Sequence, residues 1–172
     1  TLALYEERPA GDATDQDFFG NSEDVENTLK IIKRLKKDND NEVDQAFVLK
    51  SRLFDMFISD WDRHDDQWRW ATFEKEGEKG ELYQPIPRDR DQAFFLNEGF
   101  FPKIASKKWA LPKLEGFDYE VEWPSGLMFN ARYFDRTFLT ELTREQWTEI
   151  SNDLKSKMTD EVIVNAIRKW PE

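Results

Sequence analysis

Just past the middle of the first hundred residues, the hydrophobic pattern of this chain changes period. Before residue 59 apolar side chains recur every three or four positions, as on a helix; from residue 67 they alternate, as on a strand. The stretch across that change reads Asp60-Trp61-Asp62-Arg63-His64-Asp65-Asp66-Gln67-Trp68-Arg69-Trp70. It carries five acidic or amide side chains, the one histidine of the protein and three of its seven tryptophans. A helix must deliver this loop and a strand must leave it, which limits the folds open to the chain. A second acidic knot, Arg88-Asp89-Arg90-Asp91-Gln92-Ala93-Phe94, follows about twenty residues later. A hairpin between the knots would return the second to the mouth of the first, so the two form one candidate site.

The local signals for that hairpin are direct. Trp68, Trp70 and Thr72 alternate with Arg69, Ala71 and Phe73, residues 74–80 hold two glycines, and residues 82–86 are again strand-like. Pro85 and Pro87 place the returning strand at a sheet edge or end it, because proline cannot donate to a ladder. Upstream, residues 42–59 read as a helix with a wide apolar face (Val43, Ala46, Phe47, Leu49, Leu53, Phe54, Phe57, Ile58). Before it, Ser22 is an expected N-cap for a helix over 23–36 on the stripe Val25, Leu29, Ile32 and Leu35, with cations at its C-terminal end where the dipole favours them. Residues 1–8 read as a short strand and 9–21 as a loop.

Downstream, residues 97–109 read as a loop with a helical turn. Residues 111–124 read as irregular, with a strand over 119–123, and residues 125–139 as helix or helical turns. Thr143 and Gln146 form a capping box for a helix marked by Trp147, Ile150, Leu154 and Met158, and Thr159 caps a last helix running to Trp170. No internal repeat or linker interrupts the chain. The expected fold class is α+β, mainly helical, in a single domain over residues 1–172.

Bulk properties exclude some functions. A length of 172 residues suits one domain with a real core. An aromatic content of 15% argues against disorder despite 35% charged residues. A net charge of −11 argues against binding nucleic acid or an anionic membrane through bulk electrostatics. Without cysteine there is no disulfide framework and no thiolate metal site. No apolar run approaches the length of a membrane-spanning helix, so no direct membrane insertion is expected. The chain opens on Thr1 without an initiator Met, which reads as a piece of a longer protein.

The candidate chemistry is phosphoryl transfer. Such a site needs a carboxylate to orient the attacking hydroxyl, and a carboxylate and an amide to hold magnesium against the phosphates. Magnesium prefers oxygen ligands, and Asp62, Gln67 and Asp89 offer that set. Asp-Arg-His with an amide five residues after the Asp resembles the catalytic loop of atypical kinases of the HipA-like, CotH-like and phosphoinositide-kinase-like families. The register of Asp89 to Phe94 is similar to their metal motif, Asp-Asn-Gly or Asp-His-Gly, then two residues, then Phe. The preceding helix and the hairpin between the motifs also match the order of a kinase C-lobe, over roughly residues 1–95.

The resemblance implies a C-lobe with Asp62 as the catalytic or hydroxyl-orienting residue, Gln67 and Asp89 as magnesium ligands, and Arg63 and His64 as structural parts of the loop. It further implies ATP as cofactor with magnesium, and an acceptor still to be identified. The sequence departs from the pattern in two places. Gln67 is one methylene longer than the Asn of the pattern, and Asp91 stands where glycine is expected, so Asp89 and Asp91 compete for the metal role. No Gly-rich phosphate loop or N-lobe lysine is visible, so the chain by itself is expected to bind nucleotide weakly or not at all.

The same motifs together with Pro85 to Phe94 resemble a domain of large bacterial envelope proteins that carry a calcineurin-like phosphoesterase elsewhere. That implies an envelope location and the other domains of the parent protein as partners.

Other readings stand beside this one. Arg63, Arg69, Arg88 and Arg90 can neutralise the aspartates in a structural network of bidentate pairs. His64 can be a hydrogen-bonded loop anchor, and Trp61, Trp68 and Trp70 can be core and cross-strand packing. Asp135-Arg136 reads as a surface or helix-end pair. Asp60, Asp62, Asp65, Asp66, Asp89 and Asp91 can be taken as a two-metal phosphoesterase site, although such sites draw on more than one histidine. The whole can also be a non-catalytic scaffold or interaction module.

Overall fold

The computed structural model describes residues 22–96 and 111–169. The expected strand over 1–8 and the loop with a helical turn over 97–109 lie outside the described residues. What is described is an α+β fold: six α-helices and a four-stranded mixed sheet. The strands are β1 (Asp24–Asn27), β2 (Glu42–Val43), β3 (Trp68–Glu74) and β4 (Glu81–Pro87), in the order β1-β3-β4-β2. The helices are α1 (Thr28–Lys37), α2 (Gln45–Phe57), α3 (Pro124–Leu127), α4 (Arg132–Phe138), α5 (Arg144–Lys157) and α6 (Asp160–Ile167).

β3 and β4 form the expected hairpin, in register from Trp68↔Pro87 to Glu74↔Glu81. The turn uses Gly77 and Gly80 at φ of 72° and 85°, a region that costs other residues strain. β2 runs parallel to β4 but pairs only at Leu82 and Tyr83. Pro85 and Pro87 lie beyond it, where β4 has no β2 partner to donate to.

Residues 24–27 correct the sequence reading. They pair antiparallel with β3 rather than starting a helix. The helix begins at Thr28, and its cap is Asn27, whose side chain accepts from the Lys30 N–H at 2.9 Å. Ser22 therefore caps nothing. The stripe also shifts: Ile31 is fully buried whereas Leu29 is 64% exposed. Pairing with β3 satisfies backbone groups that a first helical turn would leave open.

α2 is shorter than expected at both ends. Glu42 and Val43 join the sheet, and Asp44 caps the helix by accepting from the Phe47 N–H at 2.9 Å. Phe47 and Phe57 are exposed, while Ser51, Arg52 and Asp55 take buried positions. The expected strand over 119–123 does not form, and Tyr119 is fully exposed. The capping box of Thr143 with Gln146 and the Thr159 cap are present, and α6 ends at Ile167.

Alternation along β3 puts Trp68 and Trp70 on one face, beside Tyr83 of β4. On that face they join Ile31 of α1, Val48 of α2, and Phe134 and Phe138 of α4 in the main core. Trp68 stacks on Phe134 at 4.3 Å between centroids, and Trp70 meets Phe138 at 4.6 Å. Each such ring contributes about 1.5–3 kcal/mol by leaving water. This core holds the start of β3, and so the end of the acidic loop, in place.

Candidate functional site

The acidic loop is built from the end of α2. Ser59 adopts a positive φ of 54°, and the Asp60 N–H turns back to the Asp55 carbonyl at 2.9 Å. Asp60 Oδ1 then accepts from the Asp62 N–H at 3.3 Å, closing an Asx turn. His64 caps the 3₁₀ turn Asp65–Gln67, its Nδ1 accepting from the Asp66 N–H at 3.3 Å. Thr28 at the head of α1 donates to the Asp65 carbonyl at 2.8 Å and accepts from the Trp70 indole N–H at 3.1 Å. The loop is thus tied to helix, strand and core.

Arg63 unites the two knots. It is fully buried, with its guanidinium 4.7 Å from the centre of the Trp68 ring. Its Nη1 donates to the Arg88 carbonyl at 2.5 Å and the Asp89 carbonyl at 3.4 Å, and Nη2 to the Gln67 carbonyl at 3.3 Å. The Arg88 N–H also donates to the Gln67 carbonyl, at 2.9 Å. The hairpin therefore does return residues 88–89 to the base of the loop, through backbone groups gathered on one side chain.

The negative partner of Arg63 is Asp55, which the sequence reading passed over. Its carboxylate is fully buried and accepts from Arg63 Nε at 3.1 Å, Arg52 Nη1 at 3.2 Å and Arg90 Nε at 2.9 Å. Arg52 in turn forks onto Asp135 of α4 at 2.7 and 3.3 Å. Asp135 is thus not the surface or helix-end member the sequence suggests; it locks α4 to α2. Asp60 completes the network, with Oδ2 at 3.6 Å from Arg63 Nη1 and no hydrogen bond of its own. Burial, helped by the nearby Asp55 charge, pushes the Asp60 carboxyl up to about 6 against the pull of Arg63, the Asp62 N–H and Arg90.

The expected site residues occupy different environments. Asp62 is half-buried; Oδ1 accepts from Asn130 Nδ2 at 2.8 Å, and Oδ2 lies 3.9 Å from His64 Nε2. Gln67 is buried, with Nε2 at 3.4 Å from the same His64 nitrogen. Asp62, His64 and Gln67 are therefore one local cluster. Asp89 is exposed at a positive φ of 52° and reaches the loop through its backbone carbonyl. Asp91 is exposed and accepts from its neighbour Gln92 at 3.1 Å. Among the described residues, no ion pair joins Asp62, Asp89 or Asp91 to an arginine.

The oxygens present suit a hard cation. Asp62 has one carboxylate oxygen 3.9 Å from His64 with no hydrogen-bond donor among the described residues, and Asp89 is exposed. The contact of Gln67 with His64 uses the amide nitrogen, so its oxygen is the atom a cation would take. Among the described residues, no three carboxylate or imidazole groups gather as a metal site.

Two residues of the site, Asn130 and Asp55, are not among those the sequence singles out. Asn130 follows α3 and lies 68 positions from Asp62, with no motif around it. Asp55 had a faint one, a charge pair with Arg52 on the inward side of a helix (i, i+3). No family model matches the chain, and no curated protein or solved structure matches it either.

Proposed function

We propose that this chain is a kinase-like domain whose loop takes part in magnesium-dependent phosphoryl transfer from a nucleotide, with Asp62 orienting the acceptor hydroxyl. One observation carries this reading. The buried arginines pair with Asp55, Asp60 and Asp135, while no described arginine pairs with Asp62, Asp89 or Asp91. That leaves Asp62, Asp89 and Asp91 without an arginine partner among the described residues, as carboxylates that take a cation must be. Asn130 holds one oxygen of Asp62 and leaves the other toward solvent and His64, as an orienting carboxylate requires. Gln67 and either Asp89 or Asp91 complete an oxygen set for magnesium.

A magnesium titration followed by tryptophan fluorescence tests the proposal, since Trp61 and Trp68 border the loop. The expected result is a saturable change whose midpoint moves by more than about tenfold in Asp62→Asn and in Asp89→Asn. No metal-dependent change, or one that both variants leave intact, overturns it.

A second reading, an interaction module, is favoured by α6. Its Val162, Val164 and Ile167 are 47%, 44% and 58% exposed, an apolar surface unlike that of a helix packed on its own domain.

A further inference from the structure

Two cations on segments that touch or adjoin Asp62 are held against aromatic rings. Trp61, the residue before Asp62, has the Lys113 ammonium 5.3 Å from its ring centre. Asn130, which binds Asp62, is followed two residues later by Arg132. The Arg132 guanidinium lies 4.2 Å from the Phe129 ring centre and 4.5 Å from that of Tyr133. Both rings are exposed, at 51% and 62%. Among the described residues, neither Lys113 nor Arg132 forms an ion pair, in a chain with 36 acidic and 25 basic residues.

Stacking fixes a cation without neutralising it. The ring faces attract the charge but accept none of the in-plane N–H bonds. Arg132 uses Nη1 on the Phe129 carbonyl at 2.5 Å, and among the described residues its other N–H groups have no acceptor, while the two rings hold it in place. Such a pre-set guanidinium loses little entropy on binding an oxyanion and matches phosphate with two parallel hydrogen bonds. Lys113 adds a point charge on the Trp61 side. The short 3₁₀ turn carrying Lys113 (Pro112–Leu114) packs against α3, the helix that precedes Phe129, Asn130 and Arg132 in the chain.

We propose that Lys113 and Arg132 form an anion subsite flanking Asp62, which takes the phosphate oxyanions of a phosphate-bearing ligand. Its use rests on the phosphoryl-transfer reading of Asp62. The carboxylates of the loop would take the cation that accompanies the phosphates, and the two stacked side chains the remaining negative charge. The phosphate can come from the polyphosphate of a nucleotide or from a phosphorylated acceptor, and the chemistry at the subsite is the same.

Inorganic pyrophosphate is the first probe, titrated into the 172-residue chain at low salt with calorimetry or tryptophan fluorescence as readout. Saturable binding is expected, weakened about tenfold in Lys113→Gln and again in Arg132→Gln, and weakened also in Arg132→Lys, which keeps the charge but not the planar fork. Unchanged thermal melting shows that the variants are folded, as substitution at these half-exposed positions predicts. Displacement of pyrophosphate by ATP assigns the subsite to a nucleotide, and displacement by phosphoserine assigns it to an acceptor. No binding at millimolar pyrophosphate, or binding that both Gln variants leave unchanged, overturns the subsite. Asp62→Asn separates the two ideas. It moves the magnesium midpoint by more than about tenfold if the phosphoryl-transfer reading holds, but leaves pyrophosphate binding intact or tighter, because it removes a repelling charge.

Discussion

Replacing Asp55 with asparagine is the sharpest perturbation this fold offers. Asn is nearly the same size, so no cavity opens and the loss is electrostatic. The native carboxylate is fully buried and accepts from three arginines at 2.9–3.2 Å. Arg52 and Arg63 are themselves 3% and 0% exposed. In Asp55→Asn one acceptor oxygen becomes an amide donor facing guanidinium donors. Among the described residues, Arg63 then keeps only Asp60, at 3.6 Å, as a carboxylate neighbour.

Removing one member of a buried ion pair typically costs 3–5 kcal/mol, because a desolvated charge is left behind. Domains of this kind have about 5–15 kcal/mol in total. For a chain of 172 residues the melting temperature should fall by about 6–20 °C. Urea unfolding followed by tryptophan emission measures the change, since Trp68 and Trp70 are fully buried. Asp91→Asn, at an exposed site, serves as control and should stay within about 0.5 kcal/mol of native. A loss below about 1 kcal/mol in Asp55→Asn would mean that the arginines are solvated and that Asp55 does not organise the loop.

Stability should also depend on pH through Asp60. Its carboxyl is raised from 3.8 to about 6, so the folded chain binds that proton more tightly than the unfolded chain. The native protein should therefore gain stability relative to Asp60→Asn as pH falls from 8 to 5, by about 1.5 kcal/mol, with the rest recovered nearer pH 3. Paired urea titrations at the two pH values check this, and a flat difference counts against it. In the hairpin turn, Gly80→Ala should cost more than Gly77→Ala. Both positions have positive φ, a strain of about 1–2 kcal/mol for alanine, but at Gly80 a Cβ would also run into the Asp40 backbone carbonyl. Equal melting temperatures for the two variants would show that the approach to Asp40 is not tight.

Local elements were the legible part of this protein. The β3–β4 hairpin follows from alternation and two glycines, and the caps at Asp44, Thr143 and Thr159 act over three residues of chain. Only the last two of these were expected. At Asp44 the helix pattern alone ran on to include β2, because pairing with β4 is a contact that periodicity does not encode. The same failure placed residues 24–27 in a helix. A period of 3.6 was present there, but β3 offered a better partner for those backbone groups.

The candidate site divides along the same line. The sequence alone determined that a helix, an acidic loop and a hairpin follow one another, and that two acidic knots approach each other. Those facts depend on neighbours in the chain. Which carboxylates are neutralised was decided only in three dimensions. Arg52 meets Asp135 across 83 positions, Asn130 meets Asp62 across 68, and Arg63 reaches Arg88 across 25. Burial then does the sorting. Inside the protein an unpaired charge costs far more than at the surface, so the arginines go to Asp55, Asp60 and Asp135, and Asp62, Asp89 and Asp91 are left for other partners.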